Sequence, residues 1–400
     1  MPTLDRRIET RAILMLAIVV AILRLLADFY IPGLGKVVVP QQLTIGIMAF
    51  AAIALLLYDR KIKINIALAL FCIAGAISLA VNSDKDIPQG IERLIYFGLM
   101  LVLLSPLVES NAMRRWRRTL WSVWMWCLRV GAAISAVLLP IWLINGKSEA
   151  FDGCFEFSML NGIICATVFI DTVWRAIKPD TGRNLRIVLA VAAAYLALML
   201  VGSSSRCSII GSVCGCIPLF VRIRHDKRRL YTIVLWISAV ALCVWALSPK
   251  LTSGIMVKQN FAAEHQSATA SRDYMWEQRI EEFRNNPVFG NGFTNSEAYP
   301  EIQEKSYFSV KEPGSSWLSL SANTGIFGTA IFLWFALMLS KRLIDRFKSH
   351  SRDVWLYCGL LTALLINGCF EGWLLYAGSP TFFTFWLLTS MIMQPSLNEE

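Results

Sequence analysis

The sequence predicts an all-α fold: a polytopic membrane bundle of about twelve helices with one large loop on its outer side. Three observations predict it. Only 16% of the 400 residues are charged while 56% are hydrophobic, too little charge to coat a soluble domain of this size. Apolar runs of about twenty residues, long enough to cross a bilayer as helix, recur along most of the chain. The basic residues also crowd alternate connections between those runs.

Taken in order, the runs lie near 12–30, 41–58, 64–82, 91–108, 119–144, 159–177, 187–203, 207–221, 230–248, 317–340, 354–372 and 380–394. The first follows Arg6, Arg7 and Arg11. It holds Arg24 and Asp28 and lacks a small-residue cleavage site, so it reads as an uncleaved helix rather than a leader. Arg24 and Asp28 are four apart and can pair, as can Asp171 and Arg175 near the inner end of the sixth run. Arg129 has no local partner. It either snorkels inward or pairs across helices, and an intramembrane charge is a functional candidate by default. Gly211 and Gly215 on the eighth run allow close helix approach. Most of the ten cysteines lie inside apolar runs and none forms a CxxC pair, so Cys214 and Cys216 read as packing. Cys154 and Cys207 fall near the same face, which leaves a disulfide between them open.

Basic residues cluster around 6–11, 60–63, 114–118, 175–186, 222–229 and 341–352. The other short connections hold only Lys36, Lys85, Arg93, Lys147 and Arg206. Because short cytoplasmic connections collect Lys and Arg, this split predicts cytoplasmic termini. It also explains the formal charge of +10 without nucleic-acid binding. A single membrane domain, 1–400, then carries one long outer loop, 249–316. No internal repeat is visible, which argues against the pseudo-symmetric design of many transporters.

The outer side is where the unusual residues fall. In "LMLVGSSSRCSIIGSVCGC", from Leu198 to Cys216, a permanent cation sits between two apolar runs at the face where cations are scarce. The next helix begins beside Arg206. Its free N–H groups, the serine hydroxyls including Ser205, and the guanidinium together suit a phosphate group. A snorkelling interfacial arginine is the plain alternative. The loop contains "SRDYMWEQRIEEFRNNPVFGNGF", which predicts a helix from Ser271 to Arg284 with Ser271 as N-cap and Asp273 in its first turn. Trp276, Ile280 and Phe283 form an apolar stripe that can lie on the membrane surface or pack over a cavity. Asn285, Asn286 and Pro287 end the helix, and Gly290 and Gly292 mark a tight turn. Arg272 and Arg279, seven apart, share a face. Their alternative is a solvated face paired with Glu277, Glu281 and Glu282. Glu312, Ser315 and Ser316 stand at the mouth of the tenth run and Glu371 near the outer end of the eleventh. The two glutamates are the acidic residues best placed to take a proton. His225 and His350 fall inside, and His265 in a polar part of the loop.

These pieces together resemble the O-antigen ligase and polymerase family. The resemblance rests on Ser204-Ser205-Arg206, on Arg272 and Trp276 before Asn286-Pro287-x-x-Gly290-x-Gly292, and on the exit into "SANTGIFG". It implies a metal-independent, inverting membrane glycosyltransferase without a cofactor. The donor would be a glycan on undecaprenyl diphosphate, with membrane lipid around it and a flippase and chain-length regulator in the same pathway. Arg206 and Arg272 match the family arginines that would hold the diphosphate, with Arg279, Trp276, Ser205, Ser315 and Ser316 nearby, and Glu312 or Glu371 as base. Ligases of the family carry a loop histidine where this chain has Gly314-Ser315-Ser316, which favours a polymerase or another member with a different base. An O-antigen ligase is the runner-up. A transporter of polyprenyl-linked glycan or an anionic solute, and a non-catalytic scaffold, are the rivals from other classes.

Overall fold

The computed structural model describes residues 2–31, 35–59, 61–82, 87–145, 150–224, 226, 251–264, 267, 269–293, 314–351 and 353–395. Its helices, in order, are α1 (Pro2–Leu26), α2 (Gln41–Tyr58), α3 (Ile66–Val81), α4 (Ile87–Leu104), α5 (Asn111–Asn145), α6 (Ser158–Ile177), α7 (Arg183–Gly202) and α8 (Arg206–Ile223). Then come α9 (Ser253–Glu264), α10 (Ala270–Asn285), α11 (Ser316–Lys348), α12 (Val354–Phe370) and α13 (Pro380–Met393). Every predicted apolar run coincides with one of these helices except 230–248, which lies outside the described residues. Asp226 follows the last turn of α8, whereas Leu251 packs near Gly202 at the other end of that helix. Among the described residues α5, α6, α7, α8 and α11 are long and apolar enough to cross a membrane, and α2, α3, α12 and α13 are shorter apolar helices. The chain is a multi-pass membrane protein.

Burial follows from which faces are apolar. α13 carries no charged residue and almost every residue of it is buried, so it forms the core rather than a lipid-facing wall. Trp386 on α13 stacks with Phe97, Phe332, Phe335 and Phe385, with ring centroids 5.2–6.4 Å apart. Exposed apolar side chains such as Val137, Ile141, Val213, Ile217 and Leu337 give the bundle an oily exterior. α8 and α12 pack backbone to backbone: a Cβ on Gly215 would lie 2.7 Å from the Gly359 carbonyl oxygen, and one on Gly211 3.0 Å from that of Ala363. This is the close approach that the glycine spacing predicted.

Charged groups inside the bundle have partners. Arg24 pairs with Asp28. Arg129 reaches across from α5 to Asp171 on α6 at 2.8 Å, and Arg175 shares the same carboxylate at 3.2 Å. Arg129 is therefore a tie between helices. Arg117 is fully buried and donates to the carbonyls of Val102, Leu103 and Val108, closing the end of α4. The open disulfide question is answered: Cys154 and Cys207 are both free, and Cys154 is engaged by Ser135 and the Gly131 carbonyl.

Two short antiparallel ribbons and several loop contacts tie connections together. β1 (Tyr30–Ile31) pairs β2 (Gly35–Lys36), and β3 (Lys63–Ile64) pairs β4 (Val108–Glu109). The Tyr30 N–H donates to the Cys154 carbonyl at 2.9 Å, and the Phe151 N–H to that of Gly202 at 2.8 Å. At the other end Asp59 accepts from the Asn111 N–H at 2.8 Å, and Lys178 pairs with Asp353 at 3.5 Å. Each contact joins connections that the basic residues had assigned to the same side.

Candidate functional site

The serines of the α7–α8 junction are buried, and the turn is made by Ser204 at φ 54°, a left-handed conformation unusual for a non-glycine residue. Two backbone bonds close it, from the Ser203 N–H to the Met199 carbonyl and from the Ser204 N–H to that of Val201. Arg206 then stands at the first position of α8, half-buried, with the helix N-terminus beside it. Ser205 precedes α8 as its cap residue, but its hydroxyl is turned inward, donating to Ser208 Oγ at 2.9 Å and 3.3 Å from Cys207 Sγ.

The loop brings α10 over this turn. Arg272 Nη2 lies 2.6 Å from Glu371 Oε1 and 3.3 Å from Met159 Sδ at the start of α6. Cys207 Sγ lies 3.6 Å from the same Glu371 oxygen and accepts from Asn367 Nδ2 at 3.4 Å. Glu371 is thus gathered to the residues after Arg206 and to Arg272, although 99 positions separate it from Arg272. Ser316 fixes its backbone: the hydroxyl donates to the Glu371 carbonyl at 2.7 Å and accepts the N–H groups of Trp373 and Leu374. Ser315 caps α11. Both serines hold the site together from behind. Glu312 lies outside the described residues.

The loop helix differs from its prediction in two respects. It begins at Ala270, with Thr269 rather than Ser271 at the N-cap. Asp273 accepts from Ser267 Oγ at 2.6 Å, a hydrogen bond that holds its carboxyl below the usual range. Its packed face is also polar: Arg279 and Glu282 are buried and pair at 2.7 Å, while Ile280 of the expected stripe is exposed. The reason is the angle. Residues 272, 275, 279 and 282 line one face, about 100° from the stripe of Ile280. Arg279 does share the face of Arg272, about two turns along, and its partner is Glu282. Trp276 donates from Nε1 to the Gly314 carbonyl at 2.9 Å and packs on Phe370, so it anchors the returning chain ahead of Ser315.

The glycines of the loop turn have a use that their sequence alone did not show. α11 is broken at Gly325 (φ 64°, ψ −168°). The Asn291 and Gly292 N–H groups donate to the carbonyls of Ala322 and Asn323, at 2.8 and 3.0 Å. The Ile326 and Phe327 N–H groups donate to those of Pro287 and Val288, at 2.8 and 3.2 Å. The loop turn therefore satisfies the backbone groups that the break exposes. Side chains would not fit: a Cβ on Gly290 would lie 2.5 Å from the Asn323 carbonyl carbon, and one on Gly325 2.3 Å from the Val288 oxygen.

Lys258 was missed from the sequence. It stands on α9 and donates to the Ser204 carbonyl at 2.9 Å. Burial, and next the charge of Arg206, push its ammonium pKa below the ordinary lysine value, with Arg272 adding to this and Cys207 and Glu371 opposing it. The only signal in the sequence was a lone cation in the apolar stretch "GIMVKQNF". Arg206, Lys258, Arg272 and Glu371 thus form one electrostatic group at one end of the bundle. Such a cationic cluster can bind a phosphorylated ligand and stabilise negative charge as it develops.

Residues 191–333 match the model of a protein family described as O-antigen ligase. The match contains α7 from Val191, the serine turn, α8, the loop and α11 as far as Leu333, and so Arg206, Lys258 and Arg272; Glu371 lies beyond it. This supports the resemblance drawn from the residues. No curated protein matches the chain.

Proposed function

We propose, for a chain whose residues 191–333 carry the O-antigen ligase domain, that it is a membrane glycosyltransferase joining lipid-linked oligosaccharide repeats into an exported polysaccharide. One observation carries this reading: Arg206, Lys258, Arg272 and Glu371 converge on the serine turn from separate elements. In the proposed reaction the acceptor hydroxyl oxygen attacks the anomeric carbon of the donor. The bond from that carbon to the diphosphate oxygen breaks, and its electron pair leaves with the lipid diphosphate. Arg206 and Arg272 stabilise that growing charge, and the acceptor proton passes to the Glu371 carboxylate. A single displacement inverts the anomeric centre, and the arginines supply the charge without a metal. Undecaprenyl diphosphate is the carrier in this reading. The reaction takes place outside the inner membrane, both termini are cytoplasmic, and a flippase and chain-length regulator act alongside.

A ligase reaction, passing finished glycan to lipid A–core, is the second reading, and the family match is compatible with either. The segment that replaces the ligase histidine favours the polymerase. Ser315 and Ser316 there serve as a helix cap and a backbone anchor, and neither is a base. The deciding measurement is glycan analysis of a deletion strain. Single repeats left on lipid A indicate a lost polymerase. Uncapped core with long lipid-linked chains indicates a lost ligase. For the site itself, Arg206→Ala and Arg272→Ala should each abolish long glycan while protein level is kept. Full activity of both variants would overturn the reading.

A further inference from the structure

α9 lies across the serine turn. Leu251, two residues before it, packs near Gly202, and a Cβ on Gly254 would lie 2.4 Å from Ser204 Oγ, so the helix sits directly on the turn. That contact aims Lys258 at the Ser204 carbonyl and places its ammonium among Arg206 and Cys207 of α8, Arg272 of α10 and Glu371 after α12. If Lys258 served only to hold the Ser204 carbonyl, a neutral donor would do so without repulsion from two arginines. A charged ammonium there is favourable when a multiply charged anion shares the site. An ammonium also carries three N–H donors, of which Ser204 takes one.

We propose that Lys258 is a third ligand for the anionic diphosphate of the donor, mounted on α9 so that Arg206, Arg272 and Lys258 surround that group together. This rests on the glycosyltransferase reading given above. Among the described residues the charges agree with it: three cations less the Glu371 carboxylate leave two positive charges, the number that neutralises a diphosphate diester. The bond cleavage adds negative charge to the departing diphosphate, and the cluster meets it. The lowered lysine pKa fits the same role, because a bound anion would draw the ammonium back to its charged form.

The test uses the full-length protein in detergent with a lipid-diphosphate-linked donor, comparing Lys258→Gln, Lys258→Arg and Arg206→Ala. Gln keeps a donor for the Ser204 carbonyl without the charge. Lys258→Gln should raise the donor KM about tenfold, the loss of one charge-assisted contact. Farnesyl diphosphate should raise the melting temperature of the wild type more than that of Lys258→Gln, while farnesyl monophosphate should separate them less. Lys258→Arg should keep the KM within a few fold. It should also lose less donor affinity as pH rises, since the wild-type ammonium deprotonates below the ordinary lysine range and a guanidinium does not. A wild-type KM and pH profile in Lys258→Gln would overturn the assignment, whatever its melting temperature. If Arg206→Ala is inactive in that case, only the Lys258 assignment falls. If Arg206→Ala is also fully active, the glycosyltransferase reading falls with it.

Discussion

Glu371 is held from three directions: Arg272 on one carboxylate oxygen, Cys207 near that same oxygen, and Ser316 on its backbone. As the proposed base, so fixed, Glu371 should be sensitive to charge more than to size. Glu371→Gln is expected to cut turnover by about a hundredfold or more while the donor still binds, measured as kcat against KM. Equal turnover in Glu371→Gln would exclude it as the base. Arg279 belongs to a different problem. Its partner Glu282 is buried with it, so Arg279→Ala leaves a buried carboxylate without its cation, held by the Gln278 amide at 3.0 Å. The expected cost is about 3 kcal/mol, read as a fall of several degrees in melting temperature. Adding Glu282→Ala should restore part of that loss, which a surface pair would not show.

At the scale of elements, the loop turn and the break in α11 are one structure. Gly290 and Gly325 both need positive φ, and each sits where the other segment's backbone fills the space of a side chain. Gly325→Ala should therefore detach the turn from α11 and loosen α10, which carries Arg272. The expected outcome is loss of long glycan together with faster proteolysis within 270–293, while membrane insertion is kept. Gly98→Ala is the control, since a Cβ there meets nothing within 4 Å. The sequence showed both glycine clusters but not that they meet. Tight-turn spacing reports φ, whereas the partner of a turn is chosen by tertiary contact.

For the whole molecule, the alternation of basic residues and the contacts between connections agree on which ends lie together. The charge rule alone assigns the outside. Single cysteines at Gln259, Glu277 and Glu281, all exposed, should react with an impermeant thiol reagent in intact cells once Cys369 is replaced. Cysteines at Lys341 and Ser349 should be protected. The reverse pattern would invert the topology and move the proposed reaction to the cytoplasm. A transporter of anionic solute is disfavoured at this scale, because the described cationic cluster stands at one end of the bundle rather than at its midplane.

The sequence by itself determined the apolar helices and the small-residue face on which α8 packs. These follow from local quantities: apolar length and the spacing of small residues. It also placed Arg206 and Arg272 on the same side. Only the tertiary structure decided that Glu371 joins Arg272, that Lys258 leans on Ser204, and that Arg129 is tied to Asp171. It also turned the polar face of α10 inward, against the stripe that periodicity suggested. Pairings between residues tens of positions apart leave no period in a single chain. They are set by which helix ends meet, and here that depends on a loop turn filling the break in α11.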